Sequence, residues 1–274
     1  MRDALPSFRA LAEDTMTSRV LHRPALAAVS TTLVFFTIFF TMAQPLYGAQ
    51  HCSNASLQGN YGYLVSGTAG GNPVTIMGQI SADGNGGLTG YQSASNNGAI
   101  EDLLTLTGSY KVTSKCAGSA TLIPQGGTNA TYNLTVLASG KVQLVGADSG
   151  TVQSGFALPQ GVDSCSTGKT KGVFSLTENG AIVGQGPASF GGQWTLRGNG
   201  TLAGTRWGSV NGTISSGDVI SGAFKIIKIC QGGAVIGVNQ ESPIHLNLVV
   251  VNGEHTVLFM QTDGGTVLSG TLEQ

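Results

Sequence analysis

Thr107-Gly108-Ser109-Tyr110-Lys111-Val112-Thr113-Ser114-Lys115-Cys116 returns, without a gap, as Ser221-Gly222-Ala223-Phe224-Lys225-Ile226-Ile227-Lys228-Ile229-Cys230. Glycine, aromatic, lysine, β-branched residue and terminal cysteine keep their places in both runs. An internal repeat decides architecture before any local reading does. The match extends outward. Upstream, residues 78–90 (GQISADGNGGLTG) align with 192–204 (GQWTLRGNGTLAG). Downstream, 133–136 (NLTV) fall on 247–250 (NLVV), and 151–155 (TVQSG) on 266–270 (TVLSG). The chain therefore reads as two copies of one domain, residues 50–159 and 164–274, with a linker at 160–163 and a targeting segment at 1–49.

Each copy is near the usual domain size and can bury its own core. Charged residues make up only 10% of the 274, 41% are hydrophobic, and 42 are glycine. That mix is too apolar for a disordered chain and lacks the triplet period of collagen. Glycine-rich turns between β-branched runs fit an all-β protein. Past Ala43, nine Lys/Arg stand against eleven Asp/Glu, a balance of −2. Without a basic stripe, binding to nucleic acid through phosphate neutralisation has no support.

Residues 25–43 (ALAAVSTTLVFFTIFFTMA) carry no charge and follow Arg19, His22 and Arg23, the pattern of a secretory signal helix cleaved near Ala43. The alternative is an uncleaved anchor, which would be the chain's one link to a membrane. Export, to the periplasm, the cell surface or the medium, makes the four cysteines candidates for two disulfides. Of three possible connectivities, the duplication favours Cys52–Cys116 and Cys165–Cys230, spaced 64 and 65 positions apart. No Cys-x-x-Cys occurs, so neither zinc nor a redox motif is implied.

Turn signals every 8–14 residues divide copy one into strands near 59–66, 73–81, 87–93, 101–113, 119–123, 132–137, 141–145 and 151–156, with 94–99 a polar loop. Copy two repeats them near 172–178, 190–196, 201–208, 218–229, 233–238, 245–251, 255–261 and 266–272. Asn85-Gly86, Asn199-Gly200 and Asn252-Gly253 are expected as two-residue hairpin turns. The last of these would set ladder partners summing to 505, with His255 opposite Val250 and His245 opposite Met260. Gly108 and Gly222 weaken their strands unless the sheet bends there. Eight sequential antiparallel strands close into an up-and-down barrel. The expectation is thus an all-β chain of two tandem antiparallel barrels of about eight strands each, preceded by the signal helix.

The cysteine before Leu57-Gln58-Gly59-Asn60-Tyr61-Gly62-Tyr63, the Asp83-Gly84-Asn85-Gly86 turn, Gly108-Ser109-Tyr110 leading to Cys116-Ala117-Gly118, and the closing run Gln261-Thr262-Asp263-Gly264-Gly265-Thr266-Val267-Leu268-Ser269-Gly270 resemble a Gly-rich domain of exported bacterial proteins with no assigned activity. The layout is similar to lipocalin-like and avidin-like barrels by analogy of strand count and of the first strand's Gly-x-aromatic. The resemblance implies no catalytic residues.

No catalytic constellation emerges from the residues. Gly168-Lys169-Thr170 lacks the leading glycine and the βαβ unit of a phosphate loop. Asp83-Gly84-Asn85-Gly86 lacks the later acid of a calcium loop. Glu101 and Asp102, adjacent on a strand, point to opposite faces and form no acid/base pair. The sequons at Asn54, Asn129, Asn133, Asn199 and Asn211 follow from a turn-rich, threonine-rich composition.

Six aromatics keep binding in view. Tyr61, Tyr63 and Tyr110, with Phe174, Trp194 and Phe224 as counterparts, fall where one sheet face is buried, as core packing or as the lining of a small apolar ligand. The leading reading is a non-enzymatic exported barrel protein, a binding or surface module with a small apolar ligand or a cell-surface component as partner and no cofactor. The alternatives are a barrel-type isomerase or cyclase without a recognisable motif and, third, a membrane β-barrel, which the lack of aromatic girdles disfavours.

Overall fold

The computed structural model describes residues 51–239 and 242–274; the expected signal helix lies outside them. The first barrel contains β1 (Gly59–Ala69), β2 (Asn72–Ala82), β3 (Gly87–Asn96), β4 (Ala99–Val112), β5 (Ala117–Pro124), β6 (Ala130–Val136), β7 (Val142–Gly146) and β8 (Thr151–Pro159). Each strand pairs antiparallel with the next, and β1 closes on β8 from Tyr61↔Pro159 to Ala69↔Thr151. The second barrel contains β9 (Gly172–Ile182), β10 (Gly186–Leu196), β11 (Thr201–Val210), β12 (Thr213–Ile226), β13 (Gln231–Val238), β14 (Ile244–Val251), β15 (Thr256–Gln261) and β16 (Thr266–Glu273). It closes through β16 on β9. The chain is therefore two closed eight-stranded antiparallel barrels in tandem.

Alternation along each strand builds the cores, because successive side chains of a strand take opposite faces. Tyr61, Tyr63 and Val65 of β1 enter the first core with Leu88, Leu106, Leu122 and Leu134. Phe174 and Leu176 of β9 enter the second with Trp194, Leu202, Ile220 and Phe259. One end of each barrel is stoppered by the segment that carries its leading cysteine. In the first, a 3-10 turn, Asn54–Leu57, drops Leu57 into the core and caps β4 through Val112 N–H→Asn54 Oδ1 at 2.8 Å. In the second, Thr167 Oγ1 accepts from Ile226 N–H at 2.9 Å, the matching place on β12. The disulfides Cys52–Cys116 and Cys165–Cys230 tie each stopper to its barrel, the pairing that the duplication favoured.

The barrels share a second apolar cluster made by outward-facing residues. Leu64 and Met77 meet Val249, Val251, Leu258 and Met260, flanked by Phe156 and Leu158. All six residues of β15 are buried, one face by its own barrel and the other by the partner barrel. Close approach is possible because Gly62 has no side chain: a Cβ there would lie 2.5 Å from Val251 Cγ1. Polar bonds flank the cluster, with Thr75 Oγ1 donating to Ser269 Oγ at 2.7 Å and Gly265 N–H to Gly98 O at 2.9 Å. The expected linker takes part: Gln160 is buried, its N–H donating to Asn60 O and its carbonyl accepting from Gly253 N–H.

Three expectations need correction. Residues 94–99 are not a loop: β3 runs to Asn96 and β4 starts at Ala99, joined by a tight turn at Asn97-Gly98. The polar composition of 94–99 hid the strand ends there, and Leu103, at φ 48°, forms a bulge within β4 just beyond them. Positive φ at both residues marks the Asn-Gly pairs Asn97-Gly98, Asn211-Gly212 and Asn252-Gly253, of which the first two are two-residue turns, whereas Asn85 and Asn199 sit in four-residue loops. In the first of those loops, Asp83 Oδ1 accepts from the N–H groups of Asn85, Gly86 and Gly87 at 2.7–2.9 Å. At Asn252-Gly253 the connection is a 3-10 turn, so Val251 faces Thr256 and Leu246 faces Gln261. His255 ends that turn, and His245 sits at the other end of the ladder with Nδ1 2.8 Å from Asp263 Oδ1.

Candidate functional site

The site is best built from one row of residues running across three strands. The β1–β2 and β2–β3 registers place Tyr63 beside Gly78 and Gly78 beside Gln92. A Cβ at Gly78 would lie 2.6 Å from Tyr63 Cε1 and 2.8 Å from its hydroxyl, so glycine opens the path by which the ring crosses β2. The Tyr63 hydroxyl then donates to Gln92 Oε1 at 2.8 Å. Both partners are buried, Tyr63 at 1% and Gln92 at 5% exposure. Burial pushes the Tyr63 hydroxyl well above its ordinary pKa, so it keeps its proton and donates.

A second tyrosine–glutamine pair lies across the barrel. Tyr132 pairs with Gly146 on β7, and the β7–β8 register carries on to Gln153, whose Cβ lies 3.2 Å from where a Gly146 Cβ would be. The Tyr132 hydroxyl, 1% exposed as a residue and also raised in pKa by burial, donates to Gln153 Oε1 at 3.4 Å. Each glutamine oxygen is thus occupied by a tyrosine. Among the described residues, no protein group bonds to either glutamine nitrogen.

These pairs divide the barrel interior into two spaces. Toward the stopper lies a wholly apolar cavity of about 40 Å³, bounded by Leu57, Tyr61, Tyr110 and the rings of Tyr63 and Tyr132. That is room for a water-sized guest and no larger, and its apolar wall offers water no partner. Toward the open end lies a hollow of about 250 Å³. Ala69, Val74, Ile76, Ala94 and Ala130 form its walls, Gln92 and Gln153 its polar floor, and Glu101 and Asp148 stand among its lining. Glu101 belongs to this mouth while its neighbour Asp102 turns outward to Asn247 of the second barrel, the opposite-face arrangement their adjacency implied. Asp148 Oδ2 accepts from Thr131 N–H at 2.7 Å, which fixes its loop.

The second barrel is filled instead. Trp194 stacks on Phe259 with centroids 6.2 Å apart, and Phe174 and Phe224 complete the packing. Where the first barrel has Val65, Gln92 and Leu104, the second has Glu178, Arg206 and Asp218. Arg206 lies 3.8 Å from Glu178 and 3.7 Å from Asp218, with its guanidinium 4.3 Å over the Phe190 ring. Burial pushes Glu178 up to about 7, against the pull of Arg206 in the other direction.

The structure brings Tyr61, Tyr63 and Tyr110 together around the small cavity and Phe174, Trp194 and Phe224 together in the second core; the two trios lie in separate barrels. The four cysteines pair as described. Gln92, Gln153 and Tyr132 escaped sequence reading because their partnership depends on register across three strands. The buried charges had a visible signal, Glu178 continuing the inward series of Phe174 and Leu176. No family model matches the chain, and no curated protein matches it.

Proposed function

We propose that the chain is an exported, non-enzymatic binding module in which the first barrel holds a small ligand in its open hollow and the second serves as a filled structural partner. The observation that carries this reading is the asymmetry of two copies of one fold. One keeps a hollow of about 250 Å³ floored by the buried Gln92 and the half-buried Gln153, and the other closes the same level with Phe190, Arg206 and Glu178. The hollow is just under the usual size of small-molecule pockets, which fits a compact ligand with an apolar body. Two disulfides fit an oxidising compartment. Among the described residues no helix is long and apolar enough to cross a membrane. A barrel isomerase or cyclase would use the same floor donors to polarise a carbonyl, so turnover of a bound ligand is what separates the two readings.

The test is titration of the non-reduced protein with n-butylbenzene, followed by calorimetry, beside a variant whose hollow is filled by Ala94→Phe. Binding that the variant loses while keeping its β circular-dichroism spectrum supports the site. Ala130→Leu, from another wall, serves if Ala94→Phe does not fold. Binding of equal strength in a folded, filled variant would place the ligand elsewhere and overturn the reading.

A further inference from the structure

The floor of the hollow has a definite hydrogen-bonding sense, and this deepens the proposed function while resting on it. A carboxamide has one acceptor oxygen and two N–H donors, and its orientation follows from which end a neighbour occupies. Tyr63 takes the oxygen of Gln92, and Tyr132 takes the oxygen of Gln153. Both tyrosines are held protonated by burial, and Tyr63 is further fixed because its ring crosses β2 over Gly78. Gln92 is 95% out of solvent by the measure of its 5% exposure, yet its nitrogen bonds to no described protein group. That nitrogen has no protein partner and lines the hollow, so a ligand acceptor can take the place of water there.

The fold does not require these groups. The second barrel keeps the crossing glycine, Gly192, but has Leu176, Arg206, Leu246 and Leu268 at the places of Tyr63, Gln92, Tyr132 and Gln153. Its core closes with those residues, so the tyrosine–glutamine pairs are an addition particular to the first barrel.

We infer that the first barrel selects a neutral ligand with a carbonyl or comparable acceptor oxygen at its inner end, met by the Gln92 and Gln153 amide nitrogens, and an apolar body along Val74, Ile76 and Ala94. The acceptor is uncharged, because the described lining contains no Lys, Arg or His while Glu101 and Asp148 stand in it. An anionic group would lose its hydration and meet two carboxylates with no cation to offset them. Gln92 and Gln153 contact the ligand; Tyr63 and Tyr132 are positioning residues that fix the amide orientation.

Three probes of one shape separate the terms: 3-phenylpropanamide, n-butylbenzene and 3-phenylpropanoate, each titrated calorimetrically into wild-type, Gln92→Leu, Tyr63→Phe and Ala94→Phe protein. The amide should bind about tenfold more tightly than the hydrocarbon, the size of one or two net hydrogen bonds, and the carboxylate should not compete. Gln92→Leu should remove the amide's advantage and leave hydrocarbon binding intact. Tyr63→Phe should shrink the amide-to-hydrocarbon ratio, which a merely structural role would leave unchanged. Equal affinity for amide and hydrocarbon, or tight binding of the carboxylate, would overturn the acceptor assignment while leaving the hollow as a site. Failure of all three probes, or binding that a folded Ala94→Phe retains, would overturn the site itself.

Discussion

Replacing Glu178 by Gln should remove a specific pH dependence of stability. Glu178 is 4% exposed and faces Arg206, which also meets Asp218, with Phe190 stacked on the guanidinium. Desolvation raises its pKa from the model-peptide value of 4.5 to about 7, and Arg206 offsets only part of that rise. The folded state therefore holds this proton more tightly than the unfolded state. Stability from this group is fully present below pH 4.5 and is lost as pH rises through about 7. The difference between the two values corresponds to about 3 kcal/mol at 1.36 kcal/mol per pKa unit. If the two barrels unfold together, that is a fall in Tm of roughly 6–12 °C between about pH 5 and about pH 8. Differential scanning calorimetry across that range, with Glu178→Gln beside wild type, isolates the contribution. The variant should match wild type at the acid end and exceed it at the alkaline end. Asp83 and Asp263 do not confuse the window, because both are lowered from 3.8 and their stabilisation is lost only on further acidification. Parallel pH profiles for the two proteins would refute the buried, proton-retaining carboxyl.

Reduction of the disulfides should destabilise each barrel by about 4 kcal/mol, the loop entropy of closures spanning 64 and 65 residues, read as a drop in the denaturant midpoint with tris(2-carboxyethyl)phosphine. Met77→Asp places a charge in the cluster between the barrels, where Met77 is 2% exposed, and should split a single calorimetric transition into two while far-ultraviolet circular dichroism is unchanged. Gly78→Ala should cost about 1–3 kcal/mol, since its Cβ would meet the Tyr91 carbonyl as well as the Tyr63 ring, and tyrosine fluorescence should report displacement of that ring.

The duplicated sequence carried the strand number, the barrel count and the disulfide pairing, because each rests on periodicity or on matched positions. It carried less wherever two strands had to be compared. The polar residues of 94–99 looked like a loop although strands run to Asn96 and from Ala99, and the Asn-Gly pairs at 97–98 and 211–212 were overlooked in favour of pairs that sit in longer connections. The contact between barrels was readable in one place. Thr256-Val257-Leu258-Phe259-Met260-Gln261 is apolar on both faces over its central four residues, the mark of a strand covered from both sides. The floor of the hollow was not readable, since Tyr63 and Gln92 are 29 positions apart and meet only through a glycine on the intervening strand.

That glycine explains how one fold came to hold two different interiors. Gly78 and Gly192 occupy the same place in the two copies, and each leaves a gap that a long side chain from a neighbouring strand can cross. In the first barrel a tyrosine crosses toward a glutamine, which leaves an amide nitrogen facing open space. In the second an arginine crosses toward a buried glutamate, and its charge is met inside the wall. In the second barrel Arg206 sits between Glu178 and Asp218 at ion-pair distance, and Phe190 covers the guanidinium face. In the first barrel the Gln92 and Gln153 carboxamides line the hollow instead. The same backbone opening therefore yields a sealed support in one copy and a receptive surface in the other. Exchanging the pair as a unit, with Gln92→Arg and Val65→Glu introduced together, should raise Tyr63-independent stability at low pH and abolish probe binding in the first barrel.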